Sequence, residues 1–448
     1  MSMRFLISPN TDEYMDRNSL CGLVRALRAA GHEVYFPSRA LDGFETTPIC
    51  RELGIDVLFQ LNRARPYDLP KNIRHIAWFQ DPPLVPADLG ERVQPSDIIY
   101  RVLPRQNYEP NITGRCHEGL LFLAMDEVAI NAFVPPAEAT VDFSFCGTMV
   151  PPFNFPSSPP DFTPFVPRAA WKRMILATYV RYVSTPVAKT AVGRSLWKLL
   201  RAMSRGRLPS AEISAAYRLN EVLTNSVLRA MANVAELLNE PLVGNWDPEK
   251  LARKMCEIVA PQLPELSPQM AKELNSRAIE YALHVPRLIE RYILVESILH
   301  VTDSVELYGV NWNLHPMFAP YHKGTVTGPQ ALFAIYAKSR LNGAYTARSF
   351  IHRRILECMA VGGFLFTNAS IYDRSPGGLH HFFEPGTHYG DYTPNNVQEE
   401  ACRWLRDDSR RKQVGTNAAA AVREKHLWRH RVKQLIGDLS DSNAKVRI

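Results

Sequence analysis

Three arginines, Arg348, Arg353 and Arg354, lie close together ahead of a carboxylate, Glu357, and a glycine pair, Gly362 and Gly363. A guanidinium offers a planar fork of donors that matches phosphate oxygens. A carboxylate suits the paired hydroxyls of a ribose. Adjacent glycines let a ligand come close to the backbone. Together these residue types have the chemistry of a nucleotide site.

The elements that must position them follow from the same stretch, HRRILECMAVGGFLFTN, from His352 to Asn368. Ile351, Ile355, Leu356 and Met359 share one helical face. The glycines stop the helix, Phe364 to Phe366 form a short buried strand, and Thr367 and Asn368 begin a loop. Upstream, Met3 to Ser8 reads as a strand. A polar loop from Pro9 to Asn18 follows, then a helix with Leu20, Leu23, Val24 and Leu27 on one face. Gly31 ends it and His32 to Phe36 is the next strand, which is the opening of a Rossmann-like domain. Further strands are expected at Ile55–Leu61, His75–Phe79, Asp97–Val102 and Gly119–Met125. The second half repeats the alternation, with strands at Phe143–Cys146, Val305–Tyr308, Ser339–Gly343 and Phe364–Thr367. Helices at Val397–Arg406 and Arg410–Lys425 are expected to close it. The pattern predicts an α/β protein with parallel sheets covered on both faces. The GxGxxG fingerprint is absent, which argues against a dehydrogenase.

The stretch around Glu357 resembles the second domain of GT-B glycosyltransferases, in the group of the spore-maturation protein CgeB. That group reads Arg, two residues, an acidic position, Ala, one residue, Gly-Gly, then apolar residues and Thr. VELYGVNW (Val305 to Trp312), the segment with Tyr336, Ser339 and Asn342, FFEPGTHYGDY (Phe382 to Tyr392) and the tail with His426, Trp428 and Arg431 resemble it too. IAWFQDPP (Ile76 to Pro83) and DFSFCGT (Asp142 to Thr148) are similar to its first-domain loop and second-domain opening strand. The resemblance covers most of 1–150 and 285–435. It implies two Rossmann-like domains, an acceptor domain over 1–140 and a nucleotide-sugar domain over 141–149 and 285–435.

The resemblance further implies a nucleotide-diphosphate sugar as co-substrate, with no tightly bound cofactor and no metal. Arg348, Arg353, Arg354 and Glu357 would hold phosphate and ribose. Gly147 and Thr148 either cradle phosphate or form a turn that needs positive φ. Tyr308, Gly309, Asn311 and Trp312 would line the base pocket, although Trp312 could equally pack the sheet. Glu384, Gly386, His388, Tyr389 and Gly390 resemble a donor-facing loop. His380 and His381 nearby have no metal-ligand spacing. Retaining enzymes of one large GT-B class place a second Glu eight residues before the ribose carboxylate; Ser349 stands there, which disfavours retention. Inversion needs one general base. Asp81 is the first candidate because it follows a buried strand and precedes two prolines; Asp12, Glu13 and Asp16 come next. A nucleotide-sugar epimerase of the same fold and a non-catalytic sugar- or nucleotide-binding scaffold are the rival expectations.

Residues 150–284 fall outside the resemblance. A proline-rich entry leads to helical patterns, and an inserted all-α subdomain is expected. Within it, Phe162 to Ala211 carries ten Lys or Arg and no Asp or Glu. Trp171, Lys172, Arg173, Arg181, Arg194, Trp197, Lys198 and Arg201 mix cations with aromatics, the composition of a helix on an anionic membrane. A solvated basic face, or an acidic protein or nucleic acid partner, are the alternatives, nucleic acid being disfavoured. The 448 residues allow two or three domains, and 46% apolar with 22% charged residues is ordinary for a globular chain. Seven scattered cysteines without CxxC spacing predict reduced thiols, no zinc site and a cytoplasmic setting, and the basic segment adds the expectation of a peripheral place on the inner membrane face. Acceptors of such a transferase would be a surface glycan, a lipid-linked glycan or a protein.

Overall fold

The computed structural model describes residues 2–80, 85–86, 88–105, 110–149, 253, 257, 290–345, 351–370, 372–393 and 395–441. Asp81, Arg348, the expected helical insertion and its membrane-contact residues Trp171, Lys172, Arg173, Arg181, Arg194, Trp197, Lys198 and Arg201 lie outside them.

The first sheet has six parallel strands in the order β2-β1-β3-β4-β5-β6. They are β1 (Arg4–Ser8), β2 (Glu33–Tyr35), β3 (Val57–Leu61), β4 (Arg74–Phe79), β5 (Ile98–Arg101) and β6 (His117–Leu120). Phe5, Leu6 and Ile7 are all buried, as a strand covered on both faces requires. Helix α1 (Tyr14–Ala29) buries Leu20, Leu23, Val24 and Leu27, and Gly31 follows it at φ +85°. Helix α2 (Gly43–Glu52) begins with a capping box in which Asp42 and Glu45 satisfy each other's backbone amides. Two short helices, α3 (Leu89–Arg92) and α4 (Glu127–Asn131), complete this half.

The second sheet has five parallel strands in the order β11-β10-β9-β7-β8. They are β7 (Val141–Cys146), β8 (Val305–Tyr308), β9 (Ser339–Ala344), β10 (Leu365–Asn368) and β11 (Gly390–Tyr392). Around them lie α5 (Pro329–Lys338), α6 (Arg353–Ala360), α7 (Val397–Arg406), α8 (Asp408–Lys425) and α9 (Trp428–Ser440). Each sheet contains the same doubly wound core, in which the order reverses between its first and third strands. These are β1 and β3 in one unit and β7 and β9 in the other. Such a reversal opens a crevice beyond the carboxyl ends of the strands. The α/β class and the two Rossmann-like units are as expected.

Two expectations are corrected. The apolar run Gly119–Met125 is not one strand. Pairing stops at Leu120, and Leu121 to Met125 instead cover the junction, where Met125 bridges to Leu427. Nor does the chain close at Lys425. Helix α9 crosses back to the first unit, where Tyr100 donates to Asp438 and Gln434 donates to the Leu120 carbonyl at 2.9 Å. Its first residue, Trp428, lies so close to α1 that a Cβ at Gly22 would sit 2.1 Å from the indole. A single apolar cluster therefore runs from Phe5 and Ile7 through Met125 and Trp428 to Ile355 and Leu356. No helix among the described residues is long and apolar enough to cross a membrane.

Candidate functional site

The second unit's crevice is built around one guanidinium. Helix α6 starts beyond the carboxyl end of β9, and its N-cap His352 accepts the Arg354 amide proton at 3.3 Å. Arg354 then reaches sideways and donates Nη1 to the Cys146 carbonyl at 2.7 Å, at the end of β7. It fills the switch point, leaving a cavity of about 10 Å³ between it, Tyr345 and His352. That is room for about one water.

Gly147 makes room for this arrangement, and not through a turn that needs positive φ. Its φ is not among the positive values. A Cβ there would instead meet Arg354 Nη1 at 2.3 Å, so its missing side chain makes room for the guanidinium. Its carbonyl accepts from Trp312 Nε1 at 2.7 Å and its amide donates to the Tyr308 carbonyl at 2.8 Å. Gly309, at φ +122°, permits the close pass, because a Cβ there would lie 2.4 Å from the Gly147 oxygen. Asn311, at φ +72°, donates its side-chain amide to the Met149 carbonyl at 2.9 Å. Thr148 is exposed and its carbonyl is held by Arg291. Trp312 is fully buried against Phe145 and Phe318, which makes it a core tryptophan and not a wall of a base pocket. Tyr308 is hydrogen-bonded to Glu306 and Lys338, and burial pushes its hydroxyl up to about 12.

Arg353 and Glu357 form the second feature. Glu357 is 2% exposed, and burial raises its carboxyl while Arg353 and then Arg354 oppose the shift. Arg353 Nε donates to it at 2.7 Å and Nη1 donates to Ser19 Oγ at 3.3 Å. Arg353 thus joins the two units. Beside it lies a cavity of about 310 Å³, lined among others by Asn18, Ser19, Asp126, Gln330 and Trp428.

Other expected donor contacts lie elsewhere. Gly362 and Gly363 are at the far end of α6, roughly 12 Å along its axis from Arg353. Gly362 is the αL stop of that helix at φ +77°. The close approach there is to α8, where a Cβ at Gly415 would lie 2.2 Å from the Gly362 oxygen. At Gly363 protein fills the space, since a Cβ there would meet Cys358 at 3.0 Å and the Tyr336 carbonyl at 3.1 Å. Glu384 and His388 sit in a turn closed by the Glu384 amide on His388 Nδ1 at 3.0 Å. The same turn is tied to α8 by Asn417 on the Thr387 carbonyl at 3.1 Å. Tyr389 is buried and Gly390 opens β11 against Phe364 and Trp404. This turn leads into the amino end of β11, whereas the crevice opens at the carboxyl ends.

At the first unit's switch point, the loop after β1 is acidic. Asp12 and Glu13 are exposed; Asp12 accepts the Ala40 amide, and Glu13 is the N-cap residue of α1 without a side-chain cap bond. Asp16 instead closes the loop, accepting from the Thr11 amide at 2.9 Å and hydroxyl at 2.8 Å. Asn62, at φ +51°, takes the Gln80 amide at 2.7 Å and so fixes the backbone at Gln80.

Asn18 and Ser19 were not singled out from the sequence. The available signal was a polar pair abutting the apolar stripe of α1, which begins at Tyr14, inside the stretch expected to be a loop up to Asn18. Among the described residues no group of three His, Cys, Asp or Glu could hold a metal.

Residues 291–437, about a third of the chain, match the family model described as glycosyl transferase-like. No curated protein matches. A glycosyltransferase from Rickettsia africae superposes with a TM-score of 0.45 at 8% identity, over 99% of both chains. Sucrose-phosphate synthase from Thermosynechococcus elongatus gives 0.43 at 13%, over 98% of both. Anabaena HepE in complex with UDP-glucose gives 0.43 at 11%, over 98% of this chain and 99% of that one. Likenesses at these scores carry no weight beside the strand order, on which the fold rests. Over its second unit the chain is similar to glycosyl transferase-like proteins.

Proposed function

We propose that the chain is a glycosyltransferase of the GT-B, CgeB-like kind. It moves a sugar from a nucleotide-diphosphate donor to a surface glycan, a lipid-linked glycan or a protein. The observation that carries this is the start of α6. Two arginines and a buried carboxylate meet the switch point of a Rossmann-like sheet, inside the segment that matches the family.

In this reading the diphosphate takes Arg354 from the Cys146 carbonyl, and charge-assisted bonds to phosphate replace a bond to a neutral oxygen. The ribose diol takes up Glu357 as Arg353 turns toward phosphate. The acceptor oxygen attacks the anomeric carbon, the bond from that carbon to the β-phosphate oxygen breaks, and the nucleoside diphosphate leaves with the electron pair. The acceptor proton passes to a carboxylate of the first unit, Asp81 first, then Asp12, Glu13 or Asp16. This is a single inverting displacement in which the arginines stabilise the leaving charge, with no obligate metal. In this reading the basic segment 162–211 contacts an anionic membrane; the expected outcome is binding to phosphatidylserine vesicles that weakens with salt, and equal binding to neutral vesicles removes it.

The test is calorimetric titration with UDP, GDP, ADP and CDP. One of them binds the wild type, and Arg354→Ala and Glu357→Ala weaken that binding. Unchanged affinity in both variants removes this site, and no binding by the wild type removes the donor class.

A further inference from the structure

The Arg354 guanidinium is gripped at two of its donors. Nη1 donates to the Cys146 carbonyl at 2.7 Å, and Nε donates to Nδ1 of His352 at 3.4 Å. The Arg354 backbone amide donates to the same ring nitrogen at 3.3 Å. One imidazole nitrogen therefore both caps helix α6 and orients the guanidinium two residues on. The rest of the planar fork, Nη2 included, is left for a ligand.

His352 is itself held. Ile351 before it is buried, and its amide donates to the Gly377 carbonyl at 3.0 Å. The His352 carbonyl accepts from the Ile355 amide at 3.0 Å. Gly377, at φ +83°, lies so close to the junction of the two units that a Cβ there would sit 2.9 Å from the Phe122 ring. The imidazole is thus fixed from both sides. Its bond to Nε is the part of the grip that persists when Nη1 leaves Cys146.

This bond requires one protonation state. A ring nitrogen that accepts from two N–H groups carries no proton, so the neutral imidazole holds its hydrogen on Nε2. A proton on Nδ1 would turn the acceptor into a donor. It would also set a positive charge against Arg354 at the amino end of a helix, where the dipole disfavours cations. The ionisable groups on the elements packed here are Arg353, Glu357 and Cys358 on α6, Cys146 at the end of β7, Tyr336 on α5 and Tyr345 after β9. Asp373 and His380 stand on the loop that carries Gly377. Burial pushes the Cys146 thiol up to about 12 and holds Tyr336 and Cys358 well above their ordinary values. None of those three exchanges a proton near neutrality.

We infer that His352 is a positioning residue of the phosphate site. Its neutral imidazole holds Arg354 by Nε while the other donors turn from the Cys146 carbonyl to a donor diphosphate, so donor affinity falls when the ring takes up a proton. This rests on the nucleotide reading of the crevice. Full-length protein is titrated calorimetrically with whichever of UDP, GDP, ADP and CDP binds the wild type. The titration is run at about pH 8 and about pH 5.5, which span most of the range in which histidine changes charge. His352→Ser keeps a capping oxygen but is too short to reach Nε. His352→Asn keeps the cap and places Oδ1 where Nδ1 stands, and it cannot take up a proton. At the higher pH His352→Ser binds roughly tenfold more weakly than the wild type, and His352→Asn recovers most of that loss. Between the two pH values the wild type loses about threefold more affinity than His352→Asn, or a larger factor. Protonation of the nucleotide phosphate, Glu357 and Asp373 is common to both proteins and cancels in that ratio. His352→Ser as tight as the wild type, or parallel pH profiles for the wild type and His352→Asn, overturns the inference. A weak Arg354→Ala beside an intact His352→Ser removes this inference alone. Arg354→Ala as tight as the wild type, or a wild type that binds none of the four nucleotides, removes the nucleotide site and this inference with it.

Discussion

The two units share a topology and differ in what stands at the switch point. Between β7 and β9 the second unit presents cations, with Arg354 on the Cys146 carbonyl and Arg353 next to it on a helix N-terminus. Between β1 and β3 the first unit presents three acids beside one cation, with Asp12 and Glu13 exposed in the loop, Asp16 folded back on Thr11, and Arg63 donating to the Asn10 carbonyl. One doubly wound sheet can serve opposite chemistry, because the fold fixes only where the loops gather. A cationic crevice is fit for a phosphate leaving group and an acidic one for a hydroxyl that must lose its proton. The comparison can be broken at either side.

The largest effect is expected in the first unit. Replacing a general base typically slows turnover ~10²–10⁴-fold. Asp81→Asn is expected to do so while leaving nucleotide affinity nearly unchanged. Asp12→Asn and Glu13→Gln are the controls, and Asp16→Asn is expected to act through loop order because its carboxylate holds Thr11. Full transfer by Asp81→Asn together with a dead Asp12→Asn would move the base into the first loop. Full transfer by all four would end the acid-versus-cation contrast.

In the second unit, Arg354→Ala removes a charge-assisted contact worth ~1.5–3 kcal/mol, or about 10- to 150-fold in nucleoside-diphosphate affinity. Gly147→Ala puts a methyl 2.3 Å from the guanidinium and so displaces Arg354 from the Cys146 carbonyl, the place it must leave to meet phosphate, and affinity is expected to be kept or raised. Calorimetry on both variants decides this. A Gly147→Ala variant as weak as Arg354→Ala would mean that Arg354 binds from its place on β7.

Much of this contrast was legible in the sequence. The strand Val305–Tyr308 and the buried face of α1 follow from local pattern, since a parallel strand and an amphipathic helix each carry their period in adjacent residues. The arginines were visible as chemistry. Their targets were not, because Cys146 lies 208 positions before Arg354 and Ser19 lies 334 before Arg353. Gly362 and Gly363 were misread for a related reason. A glycine pair announces close approach without saying what approaches; Gly363 makes room for Cys358 and the Tyr336 carbonyl, and at Gly362 it is Gly415 that lets α8 come near. The run Leu121–Met125 looks like a strand because junction cover and strand core are equally apolar. Helix α9 has a mixed basic surface that gives no hint of the distant sheet it joins.

That junction gives the next effect. Gly22 and Trp428 come from opposite ends of the chain, and a methyl at Gly22 would lie 2.1 Å from the indole. Overpacking of this kind costs ~1–3 kcal/mol. Gly22→Ala should therefore lower the urea midpoint, and it should also loosen the Arg353 bridge to Ser19, three positions earlier on α1. If the double variant Gly22→Ala/Trp428→Ala loses the full sum of the two single losses, the two residues are not coupled.

The smallest effect contrasts buried titratable groups. In the first unit, burial pushes His75 down to about 3. A depressed histidine favours the folded state above the unfolded pKa of about 6.5, and this contribution is lost as pH falls. In the second unit, burial pushes Asp373 up to about 6, opposed by the Ser370 amide and by His380 at 3.8 Å, with Asp391 adding to the rise. Here the sign reverses. Between about pH 4 and 6 the folded form holds the Asp373 proton more firmly than the unfolded form, so stability is full below that window and falls as pH rises through it. Asp373→Asn keeps an acceptor for the Ser370 amide and cannot ionise. Since His75 is common to both proteins, the difference between wild type and Asp373→Asn isolates the carboxyl. That difference should move by ~1–2 kcal/mol in favour of the variant between pH 4 and pH 7. Urea denaturation at both pH values measures it. Parallel curves would mean that Asp373 ionises as an ordinary aspartate, and that the second unit's buried acid has no stability consequence of its own.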